Sequence, residues 1–222
     1  MSYADKLKEL LSPAEYAVLR KLNTPQKIQA YLDLLPINFE VTGEEGIYSS
    51  RVVLKKKKVQ CMEAAVMAAA AMALQGHEPL LMDFRTVPTD EDHVIAPFKQ
   101  NGLWGAISKT NHSVLRWRDP LYKTPRELAA SYFHEYYLWS GKKSLLEYSA
   151  PVSIKKFKIE KWLTSDADHD LDWLAQWLDR VKHYPVAPKR VLSKRRPAYP
   201  IELKAMELEE FKNPEKKENR RG

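Results

Sequence analysis

The sequence predicts an α+β fold in which one buried helix packs on a small antiparallel sheet. Residues 61–75 form an alanine-rich, almost wholly apolar run, and Gly76 follows it as the usual left-handed helix cap. Residues 93–100 and 103–109 are strand-like and are separated only by Asn101-Gly102, a dipeptide typical of a tight hairpin. These two segments therefore predict the helix and the sheet of a single core.

The chain length and composition predict one domain with an appendage. The 222 residues are 44% hydrophobic, which is enough to close one core. We expect residues 1–185 to form this domain, with a helical extension at its N-terminus. Residues 186–222 hold eleven Lys or Arg against six Glu, interrupted by prolines, and are predicted to form a basic, disordered tail. Much of the formal net charge of +7 therefore lies outside the predicted core.

The segments before the alanine-rich helix are predicted to be short helices and loop. Ser12-Pro13 and Thr24-Pro25 each place a capping hydroxyl before a proline at the first helical position, so a short helix should begin at each. Residues 38–59 show no helical period and are predicted to be mostly loop, with one short strand at residues 51–54.

Further elements are predicted after the alanine-rich helix. An apolar run at residues 79–85 indicates a strand ahead of the hairpin. Thr124-Pro125 indicates the start of a helix that continues to residue 137, and a broad apolar face predicts a last helix over residues 169–183. The sheet should therefore be flanked by extra helices.

Several classes of protein are disfavoured by composition. The first residues lack the apolar run of a signal peptide, and no stretch has the length and apolarity of a membrane span. The lone Cys61 has no partner for an internal disulfide, and the histidines show no metal-ligand spacing. We therefore expect a cytoplasmic protein with no metal, no cofactor and no membrane partner, for which nucleic acid is a disfavoured partner.

Cys61 is the candidate nucleophile. It is the first residue of the predicted buried helix, where the positive end of the helix lowers the pKa of a thiol and favours the reactive thiolate. A lone cysteine is more often an inert buried hydrophobe, so its surroundings have to decide between the two interpretations. His93, thirty-two residues later at the start of a predicted strand, supplies a candidate base.

The order of cysteine helix, strand and histidine-bearing hairpin resembles the transglutaminase-like, papain-related cysteine superfamily. The resembling stretch runs from residue 61 to about residue 110, and its best-matching pieces are CMEAAVMAAAAMALQG, DHVIAPF and NGLWGAISKTN. The resemblance implies a papain/transglutaminase-like fold, with Cys61 as the nucleophile and His93 as the base that activates it.

The third position departs from the pattern of that superfamily. Its members place an aspartate four residues after a tryptophan, whereas four residues after Trp104 this chain has Ser108. A two-residue turn would set His93 opposite Thr110 and Ile95 opposite Ser108, so Thr110 and Ser108 both lie on the face of His93 and are plausible orienting partners, with Ser108 ranked first. Asp119 is the second candidate orienting partner, and Asn111 is the third.

Three functions are compatible with these residues. The first is a thiol-dependent hydrolase that cleaves an amide or peptide bond in a peptide, a protein or a small amide, with backbone N–H groups at the helix start as donors to the oxyanion. Gln60 and Tyr48 are weaker candidates for that donor role. The second is a non-catalytic binding module of the same fold, which Ser108 at the aspartate position keeps open. The third is a basic protein associated with nucleic acid.

Overall fold

The computed structural model describes residues 1–39, 46–166 and 171–213 of the chain. These ranges contain ten α-helices: α1 (Tyr3–Leu10), α2 (Pro13–Lys21), α3 (Pro25–Asp33), α4 (Ser50–Lys56), α5 (Cys61–Leu74), α6 (Pro125–Tyr132), α7 (Ile159–Leu163), α8 (Asp172–Arg180), α9 (Lys189–Leu192) and α10 (Pro200–Leu203). The predicted α+β class, with several helices around a small sheet, is confirmed.

The sheet has seven strands in the described residues, and all of its pairings are antiparallel. The strands are β1 (Leu80–Arg85), β2 (His93–Gln100), β3 (Leu103–Ile107), β4 (Arg118–Tyr122), β5 (Glu147–Ser149), β6 (Val152–Ser153) and β7 (His183–Pro185). Their spatial order is β4-β3-β2-β1-β5-β7, and β6 also pairs with β1. Strand β2, which carries His93, therefore lies inside the sheet.

Two apolar layers cover the two faces of the sheet. On one face, Val94, Ala96 and Phe98 of β2 pack with α5 and the N-terminal helices in the larger core cluster. On the other face, Phe84 and Ile95 pack with α6 in a second cluster. Because neighbouring strand residues point to opposite faces, β2 contributes to both cores.

Helix α5 begins where the sequence predicts, at Cys61. The Gln60 side chain accepts the Met62 N–H, and the Glu63 carboxylate accepts the Gln60 N–H in return, which forms a capping box. All residues from Met62 to Ala73 are buried. Gly76 follows with a φ of 85°, as expected of a left-handed cap.

The predicted hairpin is also confirmed. Asn101 and Gly102 have φ values of 51° and 81°, and Gln100 pairs with Leu103 as a two-residue turn requires. The pairing continues in this register to Ala96 and Ile107. Strand β3 ends there, two residues earlier than predicted, so Ser108 lies where the chain leaves the ladder.

Residues 50–56 form a helix, which corrects the prediction of a loop with a strand at residues 51–54. Ser49 caps α4 by accepting the Val52 N–H, and Lys57 ends it in the left-handed region with a φ of 58°. Val52, Val53 and Leu54 are all buried against the core. Such a consecutive apolar run does not distinguish a strand from a short buried helix.

An unpredicted helix, α1, also precedes the two predicted N-terminal helices and is capped by Ser2.

The two predicted helices of the C-terminal half are shorter than expected. The helix that begins after Thr124 ends at Tyr132, five residues before the predicted end. The last predicted helix is α8, Asp172–Arg180, and its predicted beginning at residues 169 and 170 lies outside the described residues. Residue 183, the predicted end of this helix, instead begins strand β7.

The segment after Pro185 differs from the predicted disordered tail as far as residue 213. Val186 is buried against the second core cluster, and the Ala198 N–H donates to the Gly141 carbonyl at 2.7 Å. Further along, Asn111 Nδ2 donates to the Phe211 carbonyl, and the Phe211 N–H donates to Asn111 Oδ1, each over 2.9 Å. The prediction of disorder rested on the high charge of this segment, whereas a few apolar and polar residues bind it to the rest of the domain. Residues 214–222 of the predicted tail lie outside the described residues.

No α-helix in the described ranges combines the length and the apolarity needed to cross a membrane.

Candidate active site

Cys61 stands at the positive end of α5 and beside the first residues of β2. Its thiol donates to Gln60 Oε1 over 3.0 Å, and the Val94 and Met62 N–H groups lie near the sulfur and act to lower its pKa. Burial raises the pKa of the thiol to about 11, against the lowering effect of these N–H groups. The residue as a whole remains partly exposed to solvent. Cys61 is therefore a protonated thiol at neutral pH, in contrast to the expected thiolate.

The orientation of the thiol proton follows from the hydrogen bonds of Gln60. Its Oε1 accepts the Met62 N–H at 3.1 Å, which fixes the amide with its oxygen toward the start of the helix. An oxygen in that position can only accept a hydrogen bond from the thiol. The Gln60 Nε2 makes no hydrogen bond within the described residues, so it is a donor available to a ligand at the helix start.

His93 opens β2 and is 6% exposed. Its Nε2 lies 2.8 Å from Ser108 Oγ, and Ser108 Oγ donates to the Leu115 carbonyl at 2.5 Å. The predicted contact between His93 and Ser108 is thereby confirmed. Since a carbonyl only accepts, the single hydroxyl proton is directed to Leu115, and Ser108 must accept from the ring. His93 therefore carries its proton on Nε2.

The remaining nitrogen of His93, Nδ1, is the basic one. Burial lowers the pKa of His93 to about 4, so the ring is neutral near pH 7. A neutral ring with its proton on Nε2 has a lone pair on Nδ1, and no hydrogen bond within the described part of the chain uses that nitrogen. His93 can thus accept one proton.

Ser108 is fixed by a side chain from the N-terminal extension. The Gln29 amide on α3 accepts the Ser108 N–H and donates to the Ser108 carbonyl, each over 2.9 Å. Gln29 is buried, and it replaces a strand neighbour at the point where β3 leaves the ladder. The Tyr132 hydroxyl donates to the Arg116 carbonyl in the adjoining loop at 3.0 Å. No local pattern predicts the contact with Gln29, because 79 residues separate the two partners.

The loop that supplies the Leu115 carbonyl is held in an uncommon conformation. Leu115 has a φ of 61°, in the left-handed region that a branched side chain disfavours. Its N–H donates to Glu135 Oε2 at 2.7 Å, and Arg118 pairs with the other oxygen of that carboxylate at 2.6 Å. These contacts offset the unfavourable backbone conformation of Leu115, so the loop holds the Leu115 carbonyl in place as the acceptor for Ser108.

The Cys61 thiol and the His93 imidazole share no hydrogen bond within the described residues, although a nucleophile and the base that activates it are expected within hydrogen-bonding reach of each other. The sulfur meets the N–H of Val94, the residue after His93. Because His93 pairs with Phe84 across the sheet, its ring shares the face of Phe84, whereas the Val94 side chain faces α5.

The other two candidate partners do not reach the ring. Asp119 is exposed on β4, and no hydrogen bond or ion pair within the described ranges joins it to His93. Asn111 uses its side-chain amide on the Phe211 backbone. Ser108 is therefore the orienting partner of His93, and Asp119 and Asn111 are not.

Glu63 is a buried acid two residues after Cys61, and it was not among the site residues predicted from the sequence. Its carboxylate accepts the Gln60 N–H at 2.7 Å, the Tyr48 N–H at 2.9 Å and Asn38 Nδ2 at 3.0 Å. Burial raises the pKa of Glu63 to about 7 despite these donors. The signal for it was present in the sequence, since a polar cap followed three residues later by glutamate indicates a capping box.

A second buried histidine, His183, is hydrogen-bonded to Asp83 and has both of its ring nitrogens occupied. His183 Nε2 lies 2.8 Å from Asp83 Oδ2, and Nδ1 lies 2.8 Å from the Val181 carbonyl. Both side chains are almost fully buried. Burial raises the pKa of Asp83 to about 6, and the hydrogen bond and charge of His183 oppose that rise. The partners are 100 residues apart, so no local pattern indicated the pair.

Tyr136 places a buried hydroxyl near the same end of the sheet. Its ring packs edge-on against Phe84, and its hydroxyl has no hydrogen-bond partner within the described residues. Burial raises the pKa of Tyr136 well above the ordinary value, and the negative charge of an ionised Cys61 adds to that shift. In the sequence, Tyr136 was one of several aromatics on a predicted helix face, for which a core position is the usual outcome.

Within the described ranges, no three His, Cys, Asp or Glu side chains come together as a metal site would require. No protein-family model matches the chain, and no similar sequence is found among curated proteins.

Proposed function

We propose that this protein is a thiol-dependent acyl-transfer enzyme of the transglutaminase-like type, most simply a hydrolase of amide or peptide bonds. The observation that carries the proposal is the chain of hydrogen bonds from His93 Nε2 through Ser108 to the Leu115 carbonyl. It leaves Nδ1 of a neutral imidazole as a base, one residue from the backbone group that contacts Cys61. A thiol at a helix start and an oriented imidazole are the two groups that such chemistry requires.

In the proposed reaction the sulfur attacks the substrate carbonyl while the thiol proton passes to His93 Nδ1 through one bridging water, because the two groups share no direct hydrogen bond within the described residues. The new S–C bond forms, and the carbonyl oxygen takes the negative charge. The Cys61 N–H, at the first position of α5, and Gln60 Nε2 are the donors for that oxyanion. Collapse of the intermediate breaks the C–N bond, and the imidazolium returns its proton to the leaving amine. Water then cleaves the thioester with His93 as base.

The proposed mechanism uses a thiol that is protonated at rest. With the pKa of Cys61 raised to about 11 and that of His93 lowered to about 4, the ion pair is not the resting state. Proton transfer must accompany attack, so activated esters should react much faster than amides. Ser108 orients the imidazolium without compensating its charge, which should lower the rate relative to a site with a carboxylate.

The test is acylation by p-nitrophenyl acetate, followed as release of p-nitrophenol and as one acetyl group per chain by intact-protein mass spectrometry. We expect an acetyl-enzyme on Cys61 that forms faster than thioacetylation of the urea-unfolded chain, together with slow steady turnover. The matched variants are Cys61→Ser and Cys61→Ala, both checked for fold by circular dichroism. Loss of the adduct in both, with the fold intact, is the expected result.

A second candidate function, a non-catalytic binding module of the same fold, is favoured by Ser108 at the carboxylate position and by the raised pKa of the thiol. The same measurement separates the two. If folded wild-type Cys61 is acylated no faster than the unfolded chain, the enzymatic proposal is refuted and the binding module is favoured.

A further inference from the structure

A cavity lies on the side of the sheet opposite α5, between α6 and the segment after β7. Its volume is about 810 Å³, within the range of small-molecule sites. It is lined by Arg126, Ala130, Phe133, His134, Lys143, Val186, Ala187, Arg190, Val191, Lys194, Arg195, Arg196, Pro197 and Glu202. None of these residues belongs to the Cys61 site.

The lining of this cavity carries a large excess of positive charge. Six of the lining residues are Lys or Arg, and the single carboxylate is Glu202. Glu202 pairs with Arg196 at 2.9 Å, and no ion pair within the described ranges neutralises the other five cations. The potential inside the cavity is therefore positive and favours an anion.

Lys143 is the cation that most requires an anion. It is 5% exposed, and its ammonium group donates to the His134 carbonyl at 2.8 Å and lies over the Tyr137 ring. An ammonium group has three donors, so the carbonyl uses only one of them. Burial lowers the pKa of Lys143 even though the charge of Glu202 acts in the opposite direction, and no carboxylate in the described residues forms an ion pair with its ammonium group. A ligand anion would supply that partner.

The remainder of the lining is apolar. Phe133, Val186 and Val191 contribute side chains to the cavity, with Ala130 and Pro197 beside them. Val186 is buried in the second core cluster, and Val191 is 52% exposed. An inorganic anion would leave this surface uncovered, whereas a ligand with an apolar body would cover it.

We propose that this cavity binds a small anionic amphiphile, with a carboxylate or phosphate group at Lys143 and an acyl or aryl body against Phe133 and Val186. Charge and apolar contact both contribute to this recognition. The proposal does not depend on the chemistry at Cys61, and it concerns the segment that the sequence predicted to be disordered.

Isothermal titration calorimetry of the whole chain tests the proposal, with octanoate and octyl phosphate as probes. Inorganic phosphate lacks the apolar body, and octylamine carries the wrong charge. We expect saturable binding of octanoate and octyl phosphate, at least about tenfold tighter than either control ligand, and an affinity that falls with salt. If inorganic phosphate or polyuridylate binds as tightly as octyl phosphate, the site recognises charge alone and the proposal is overturned.

Two variants locate the binding. Lys143→Met removes the buried charge at similar length, and Val191→Asp places a carboxylate at an exposed position of the lining. Each should weaken octanoate binding at least about tenfold, while Lys21→Gln, which removes one exposed charge on α2, should leave it unchanged. Unaltered binding in folded Val191→Asp, or an equal loss in Lys21→Gln, would contradict the proposal even if Lys143→Met fails to fold.

Discussion

His93 and His183 are both buried at the same end of the sheet, yet their hydrogen bonds give them different chemistry. His93 has one nitrogen bonded, to a neutral hydroxyl, and retains a lone pair on the other. His183 has both nitrogens bonded, one to a carbonyl and one to the Asp83 carboxylate. Burial alone therefore does not identify a base. The number of ring nitrogens that the fold already uses determines whether an imidazole can still accept a proton.

The first prediction compares conservative substitutions of the two histidines in the acylation reaction. His93→Gln should lower the rate of Cys61 acetylation at least about a hundredfold, because the general base is lost while the contact to Ser108 can be retained. His183→Gln should change the rate by about threefold or less, since that ring takes no part in proton transfer.

The measurement is the initial release of p-nitrophenol, at a temperature where circular dichroism shows both variants folded. Equal losses in the two variants would mean that the difference between the histidines has no catalytic meaning.

The second prediction concerns stability, where the ranking of the two histidines should reverse. Asp83→Leu or His183→Leu should each lower the free energy of unfolding by about 3 kcal/mol, because the remaining partner is left buried without its counterpart. His93→Leu should cost only about 1 kcal/mol, the loss of one hydrogen bond to a neutral group.

Urea unfolding followed by fluorescence provides these values. The double variant Asp83→Leu with His183→Leu should recover more than half of the single-variant loss, since no unpaired group remains. An additive double variant would show that the pair is not coupled.

The third prediction uses pH. The pKa of His93 is lowered to about 4 in the folded chain, whereas an unfolded histidine titrates near 6.5. Between these values the unfolded state binds one more proton, so stability should fall as the pH drops through this window and level off below it. The wild type should lose about 3 kcal/mol more than His93→Gln between about pH 6.5 and pH 4. Parallel pH profiles for the two proteins would show that His93 is not held neutral by burial.

The smallest expected effect is that of Ser108→Ala. Removal of the hydroxyl takes away the acceptor that holds the proton on Nε2, so acetylation should slow by about tenfold, equivalent to one hydrogen bond. Ser108→Thr, which retains a hydroxyl, is the matched control and should recover most of the rate. A Ser108→Ala variant with wild-type kinetics would mean that the ring is oriented by its packing alone.

The sequence was informative where short-range rules apply. Helix α5 was recognisable from the alanine-rich run that begins at Cys61 and from Gly76 after it, and the hairpin from Asn101-Gly102, because helix caps and tight turns depend on neighbouring residues. The register of that hairpin then predicted the contact between His93 and Ser108. The one element mistaken for a strand, α4, is a short apolar run whose conformation is set by packing.

Contacts between distant residues were beyond such rules. Three interactions each join segments that share no local pattern: the hydrogen bonds of Gln29 to the Ser108 backbone, the Asp83–His183 pair and the packing of residues 186–213 on the domain. For the same reason Asp119 remained a candidate until its exposed position on β4 was known.

The sequence by itself determined that a thiol begins a buried helix and that an imidazole opens a strand with a serine diagonally across the hairpin, because backbone propensities and pleat alternation specify these features locally. Only the tertiary structure decided that the thiol proton points to Gln60, that His93 keeps Nδ1 available, and that His183 is closed by Asp83. Proton positions depend on which distant donors and acceptors the packed chain brings within about 3 Å, and that selection is made by the whole core.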